Sequence, residues 1–147
     1  MRQNMSGWSQ AECDELKKAG IADEILYYHR ALGKEEKYTA HVFIAQYASP
    51  EQLKQNWERL NDNIALLYQS NVDSLLERSN FYLCFFLPKS MNTIEKEKIE
   101  NDAYCAKKYI FVSEKELSVE EKIQRVNEKI FELTYLESQD TSETKLL

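Results

Sequence analysis

Glycine and proline are scarce in this chain, with three Gly and two Pro among 147 residues. Few positions can supply a tight turn, so long helices should dominate. Gly7, Gly20 and Gly33 lie too far apart for a GxGxxG dinucleotide loop or a GxxxxGK[ST] phosphate loop, which excludes ATP or NAD binding through either device. Cysteine is scarce too. Cys13, Cys84 and Cys105 form no CxxC or CxxH pair, so zinc has no ligand set, and Cys84 inside an apolar run reads as a buried thiol. There is no GxSxG elbow. The two histidines, His29 and His41, stand in apolar or aromatic surroundings, which suits packed structural imidazoles better than a Cys–His nucleophile or metal ligands. The longest apolar run, Phe81 to Leu87, is too short to span a bilayer. The first ten residues lack the apolar stretch of a signal peptide. The cytoplasm is the expected location, with no membrane partner. Positive charge is also in deficit, at 19 basic against 25 acidic residues and a net charge of −6. Such a chain repels phosphate backbones and should meet DNA only indirectly, through a complex.

What is present argues for a packed domain. The hydrophobic fraction is 43%, with nine Tyr, six Phe and two Trp, well away from the composition of disordered chains. One α/β domain over residues 1–137 is expected, followed by a polar, disordered tail over 138–147. Residues 1–8 read as frayed. Ser9 and Glu12 fit a capping box for a first helix, Gly20 interrupts it, and helical spacing resumes from Ile21 to Leu32. The segment from His41 to Gln46 reads as a strand, with a short helix as the alternative. Ser49-Pro50-Glu51-Gln52 is a strong start signal for a helix reaching Ser70, with Leu53, Trp57, Leu60, Ile64, Leu67 and Tyr68 on one stripe. The stretch from Asn71 to Leu76 reads as its continuation after a break.

Asn80 to Leu87 is almost wholly apolar, as in a central strand covered on both faces, and Pro88 stops it. Thr93 opens a charged helix that buries Ile94, Ile99, Ala103 and Tyr104. Lys108 to Val112 is a further strand, and Ser118 to Glu121 is another capping box, starting a helix with Val119, Ile123, Val126, Ile130 and Leu133 inward. This order predicts an α/β fold with a small sheet of about three strands, at least partly parallel, flanked by four to five helices. A crossover through the Thr93 helix places the last two strands side by side or one apart.

The carboxylates Glu95, Glu97, Glu100 and Asp102 precede Lys107 and Lys108, an order that a metal-dependent nuclease using residues 100–108 would share. They mingle with Lys96 and Lys98, however, as on a solvated helix face. Asp102 lies beside the buried stripe, where it can pair with a lysine at the entry to the last strand and fix the helix-to-strand turn. The tyrosines and phenylalanines at 27, 28, 38, 43, 47 and 68 are more than a small core needs, leaving a core role and an interface role both open.

The block from Asn63 to Val112 carries a resemblance. It runs IALLYQ, then the strand NFYLCFFL, then IEND, then a Lys-Lys-Tyr-Ile-Phe strand. This is similar to the middle component of three-component ABC-ATPase anti-phage systems, the group that includes the third subunit of Lamassu systems. About a third of the chain is covered, and Lys107-Lys108 stands where the family pattern has Arg-Lys. The resemblance implies a non-catalytic accessory subunit, without a cofactor, that bridges an SMC-like ATPase and an effector nuclease. Asn80, Tyr82, Glu100, Asp102, Lys107 and Lys108 are then its structural or interface candidates. A free-standing regulatory binding module is the further alternative.

Overall fold

Consecutive apolar residues bury a strand on both faces, and the centre of this molecule is built that way. The computed structural model describes residues 7–33, 35 and 37–130. Strand β4 (Phe81–Leu87) is buried at all seven positions. Phe81, Leu83, Phe85 and Leu87 enter one core and Tyr82, Cys84 and Phe86 the other. Beside it lies β3 (Tyr38–Gln46), then β2 (Glu24–Leu32) and the short β1 (Ser9–Ala11). On the other side β5 (Lys107–Val112) closes the row, giving a five-stranded sheet in the order β1-β2-β3-β4-β5 among the described residues. The first two pairings are antiparallel and the last two parallel. The predicted class holds, with strands partly parallel and the last two side by side; the count of three strands was two short.

The two missed strands are β1, which is three residues long, and β2, which is buried on both faces. Ile25 and Tyr27 pack into the first core while Leu26 and Tyr28 pack into the second. A strand buried on both faces shows no alternation, so its apolar run also satisfies a helical template. The helix expected over 21–32 is therefore β2, which returns through a hairpin at Gly33 (φ +91°) to β3. The helix expected from Ser9 is β1 followed by the single-turn helix α1 (Asp14–Lys18). Ser9 caps nothing, and α1 ends at Gly20 (φ +64°), a conformation open to glycine at little cost. Trp8, expected in a frayed end, is buried in the second core.

Helix α2 (Pro50–Leu67) starts as its sequence predicts: Ser49 Oγ accepts the Gln52 N–H (3.1 Å) and Pro50 occupies the first turn. It ends three residues early, giving way to a 3-10 turn (Gln69–Asn71) and the one-turn helix α3 (Leu75–Arg78). Helix α4 (Thr93–Glu100) opens at Thr93 as expected, with Asn92 as its cap, and buries only Ile99. Ile94 and Tyr104, expected inside, are exposed. The capping box at Ser118 forms reciprocally: Glu121 N–H donates to Ser118 Oγ (3.1 Å) and Ser118 N–H to Glu121 Oε1 (2.9 Å). It starts α5, helical over 119–130. Leu133 and the 138–147 tail lie outside the described residues.

Leu16 of α1, Leu53, Trp57, Leu60 and Ile64 of α2 and Ile99 of α4 cover one face of the sheet. Ile123, Val126 and Ile130 of α5 cover the other, with Trp8. Of the surplus aromatics, Tyr27, Tyr28, Phe43 and Tyr47 are buried, and Tyr27 stacks on Phe43 at 4.5 Å with Tyr68 edge-on to both. They belong to the core.

Tyr47 adds a test of that core. Its hydroxyl is buried with no hydrogen-bond partner among the described residues, and burial drives its pKa well above the usual phenol value. Tyr47→Phe should therefore leave stability unchanged or raise it by ~0.5–1 kcal/mol in urea denaturation. A loss above ~1 kcal/mol would mean the hydroxyl is satisfied by a buried water.

Candidate functional site at the amino ends of the parallel strands

The chain enters β3, β4 and β5 at one end of the sheet, and the six residues singled out from sequence all fall there. Asn80 stands just before β4. Its Nδ2 donates to the Leu76 carbonyl (2.7 Å), and its Oδ1 accepts from the Tyr82 hydroxyl (2.9 Å). Burial pushes the Tyr82 phenol up to about 12. Lys107, the register partner of Tyr82 on β5, holds its ammonium 5.4 Å from that ring's centre.

Glu100 ends α4 with both carboxylate oxygens engaged. Oε1 accepts from Lys96 Nζ (3.0 Å) and Oε2 from the backbone N–H of Ile110 (2.9 Å). Ser113 N–H is directed to Leu87 on β4, so by alternation the Ile110 N–H points away from β4, toward the free edge of the sheet. Glu100 therefore caps that edge.

Asp102 and Lys108 fix the turn between α4 and β5. The Lys108 side chain is fully buried, and its Nζ donates to Asp102 Oδ1 (2.6 Å), to the Asp102 carbonyl (3.2 Å) and to the Tyr104 carbonyl (2.6 Å). Three N–H groups thus meet three acceptors, which a buried ammonium requires. Asp102 Oδ1 also accepts the Tyr104 N–H (3.0 Å). From α2, Asn61 Nδ2 donates to the Tyr104 carbonyl (2.9 Å). Gln69 Nε2 reaches both the Arg78 carbonyl (3.0 Å) and the Cys105 carbonyl (3.3 Å), tying this loop to the end of α3. Cys105 itself sits at φ +62°, an uncommon conformation for a residue with a Cβ. These contacts over-determine the loop.

A second polar chain was not legible from sequence. Tyr27, His41 and Glu77 come from β2, β3 and α3. An ionised carboxylate can only accept, so His41 Nε2–H donates to Glu77 Oε2 (2.9 Å) and His41 Nδ1 accepts from the Tyr27 hydroxyl (2.7 Å). His41 also stacks on Phe81 at 4.3 Å. It is a packed histidine, but one that ties α3 to the sheet. Burial lowers its pKa below the ordinary 6.5, opposed by the bond to Glu77, and burial pushes the Tyr27 phenol up to about 12.

The depressed imidazole pKa has a signed consequence. Below pH 6.5 the unfolded chain takes up a proton that the folded chain resists. The stability from this site is full above the unfolded value and is lost as pH falls toward the folded one. Between about pH 7 and about pH 5 the urea midpoint of the native chain should drop more steeply than that of His41→Gln. Parallel profiles would show that the imidazole is not the group responsible.

Chemically, this end of the molecule is a scaffold. Among the described residues, no three His, Cys, Asp or Glu side chains gather as a metal ion would require. Glu100 and Asp102 are spent on a lysine and backbone N–H groups each. What the scaffold displays is apolar. Leu75 on α3 is 81% exposed, Leu66 near the end of α2 is 72% exposed, and Tyr104 on the braced loop is 59% exposed. Rigid backbone carrying exposed large side chains suits protein docking. Among the described residues, no helix is long and apolar enough to cross a membrane.

Comparison with known proteins agrees with a subunit. The family model for the ABC-three component (ABC-3C) system Middle Component 1 matches residues 40–140. No curated protein and no solved structure matches the chain.

Proposed function

From the premise that this chain belongs to the ABC-three component system Middle Component 1 family, we propose that it is a non-catalytic accessory subunit bridging an SMC-like ATPase and an effector nuclease. The assembly would be an anti-phage defence complex of the Lamassu kind. The observation that carries this reading is the amino-end scaffold. Its carboxylates are consumed in holding backbone, while Leu66, Leu75 and Tyr104 face solvent. The matched region, 40–140, contains every part of that scaffold except Tyr27. An acidic chain in this role leaves the DNA contacts to its partners.

Co-expression with the neighbouring genes, followed by affinity purification on this chain, tests the proposal. A large ATPase should co-purify, and Leu75→Asp with Tyr104→Asp should cut its recovery by about tenfold or more. Failure of any ATPase to co-purify would overturn the reading. So would Mg²⁺- or Mn²⁺-dependent DNA cleavage by the isolated chain that Asp102→Ala abolishes.

A further inference from the structure

The opposite end of the sheet holds a cleft that the scaffold does not use. The chain leaves β4 toward α4 on one face and leaves β5 toward α5 on the other. Where neighbouring connections part to opposite faces, a crevice opens at the carboxyl ends of the strands. A cleft of about 540 Å³ lies there, lined by Phe86, Leu87 and Pro88, by the 113–118 loop and by the first turn of α5.

Lys122 is its unusual feature. The residue is only 5% exposed, lines the cleft, and has one hydrogen-bond acceptor among the described residues, Glu24 Oε1 at 3.3 Å. Its ammonium otherwise faces the Phe86 ring at 5.6 Å from the centroid. That single bond is long for a charged pair. Lys108, equally buried, satisfies all three of its N–H groups. Lys122 therefore leaves donor capacity unspent in a place where unspent donors are costly. Gln46 complements it. Its Nε2 is taken by the Tyr47 and Phe86 carbonyls (3.1 and 3.2 Å), leaving Oε1 as an acceptor on the cleft wall.

The charges around the opening select the ligand. Lys115, which stands between Glu114 and Glu116, is paired with Glu121 and Lys122 with Glu24, while Glu114 and Glu116 form no ion pair among the described residues. An anionic ligand reaching for Lys122 would meet that repulsion. The acceptor must therefore be neutral, as a main-chain carbonyl is, and the charge it brings should be positive. We propose that this cleft binds an arginine- or lysine-bearing peptide segment of a partner protein. Its main chain meets Lys122 and Gln46, its apolar part lies on Phe86 and Pro88, and its cation meets Glu114 and Glu116. This site is separate from the amino-end surface, and its test needs no ATPase.

The test uses the full-length chain and fluorescein-labelled hexapeptide pools, each with one position fixed and the others degenerate, read by anisotropy. Pools fixed as Arg or Lys should bind about tenfold or more tightly than pools fixed as Glu. The double variant Glu114→Lys/Glu116→Lys changes two exposed positions, so its melting curve should match the parent while the Arg/Lys preference disappears. Amide shifts on adding the best basic pool should fall on Phe86, Leu87 and residues 113–119. Equal binding of all pools, a preference for Glu pools, or an unchanged preference in the double variant would each overturn the proposal.

Discussion

Asp102→Ala is expected to lower the unfolding free energy by about 3 kcal/mol in urea. The carboxylate is 34% exposed, but the ammonium it pairs with is fully buried. Removing the acid strands a charge that only two backbone carbonyls still accept. The loop they belong to also loses the Tyr104 N–H contact and its hold on Cys105 at positive φ. Stranded charge and lost packing can be separated. If the charge dominates, Asp102→Ala/Lys108→Met should be more stable than Asp102→Ala alone, because the methionine fills the site without needing acceptors. A double variant that is the sum of the two single losses would point to loop geometry instead.

Trp8→Ala should cost about 3–5 kcal/mol. Trp8 is 2% exposed and packs with Tyr28, Val42, Ile44, Ile123 and Val126, and its Nε1 donates to Asn127 Oδ1 (3.3 Å). The ring is thus a wedge between the sheet and α5, set by the residue immediately before the shortest strand. Its loss would leave a cavity that β1, only three residues long, is poorly placed to close. A drop below about 1 kcal/mol would mean that the second core repacks without it. Domains of this size have about 5–15 kcal/mol to lose, so either change consumes a large part of the total.

How far the sequence could be read follows from how local each signal is. The caps at Ser49 and Ser118 are contained within four residues, and both form. Strand β4 was legible because nothing polar interrupts it, and β5 because Lys-Lys precedes an aromatic, β-branched run. The β2 segment has the same two-faced burial, but Glu24, His29 and Arg30 broke the run and lent it helical spacing. Three of its own residues, Tyr27, Tyr28 and His29, pair with β1, whose three residues carry almost no strand signal. Asp102 and Lys108 are six residues apart, near enough for a turn to suggest itself. His41 and Glu77 are 36 apart, and Lys122 and Glu24 are 98 apart. No local pattern announces such pairs; only the order of the strands brings them together.

Glu100 has one more consequence. A sheet ending in a strand with exposed N–H groups is a template onto which another chain can crystallise, strand upon strand. By occupying the Ile110 N–H, this carboxylate places a negative charge where an incoming carbonyl would have to sit. Addition of a strand at the β5 edge is thereby disfavoured, and a contact made there would run through side chains. At that edge recognition is then written in the identity of exposed residues, and backbone, which is the same in every protein, has no say in it.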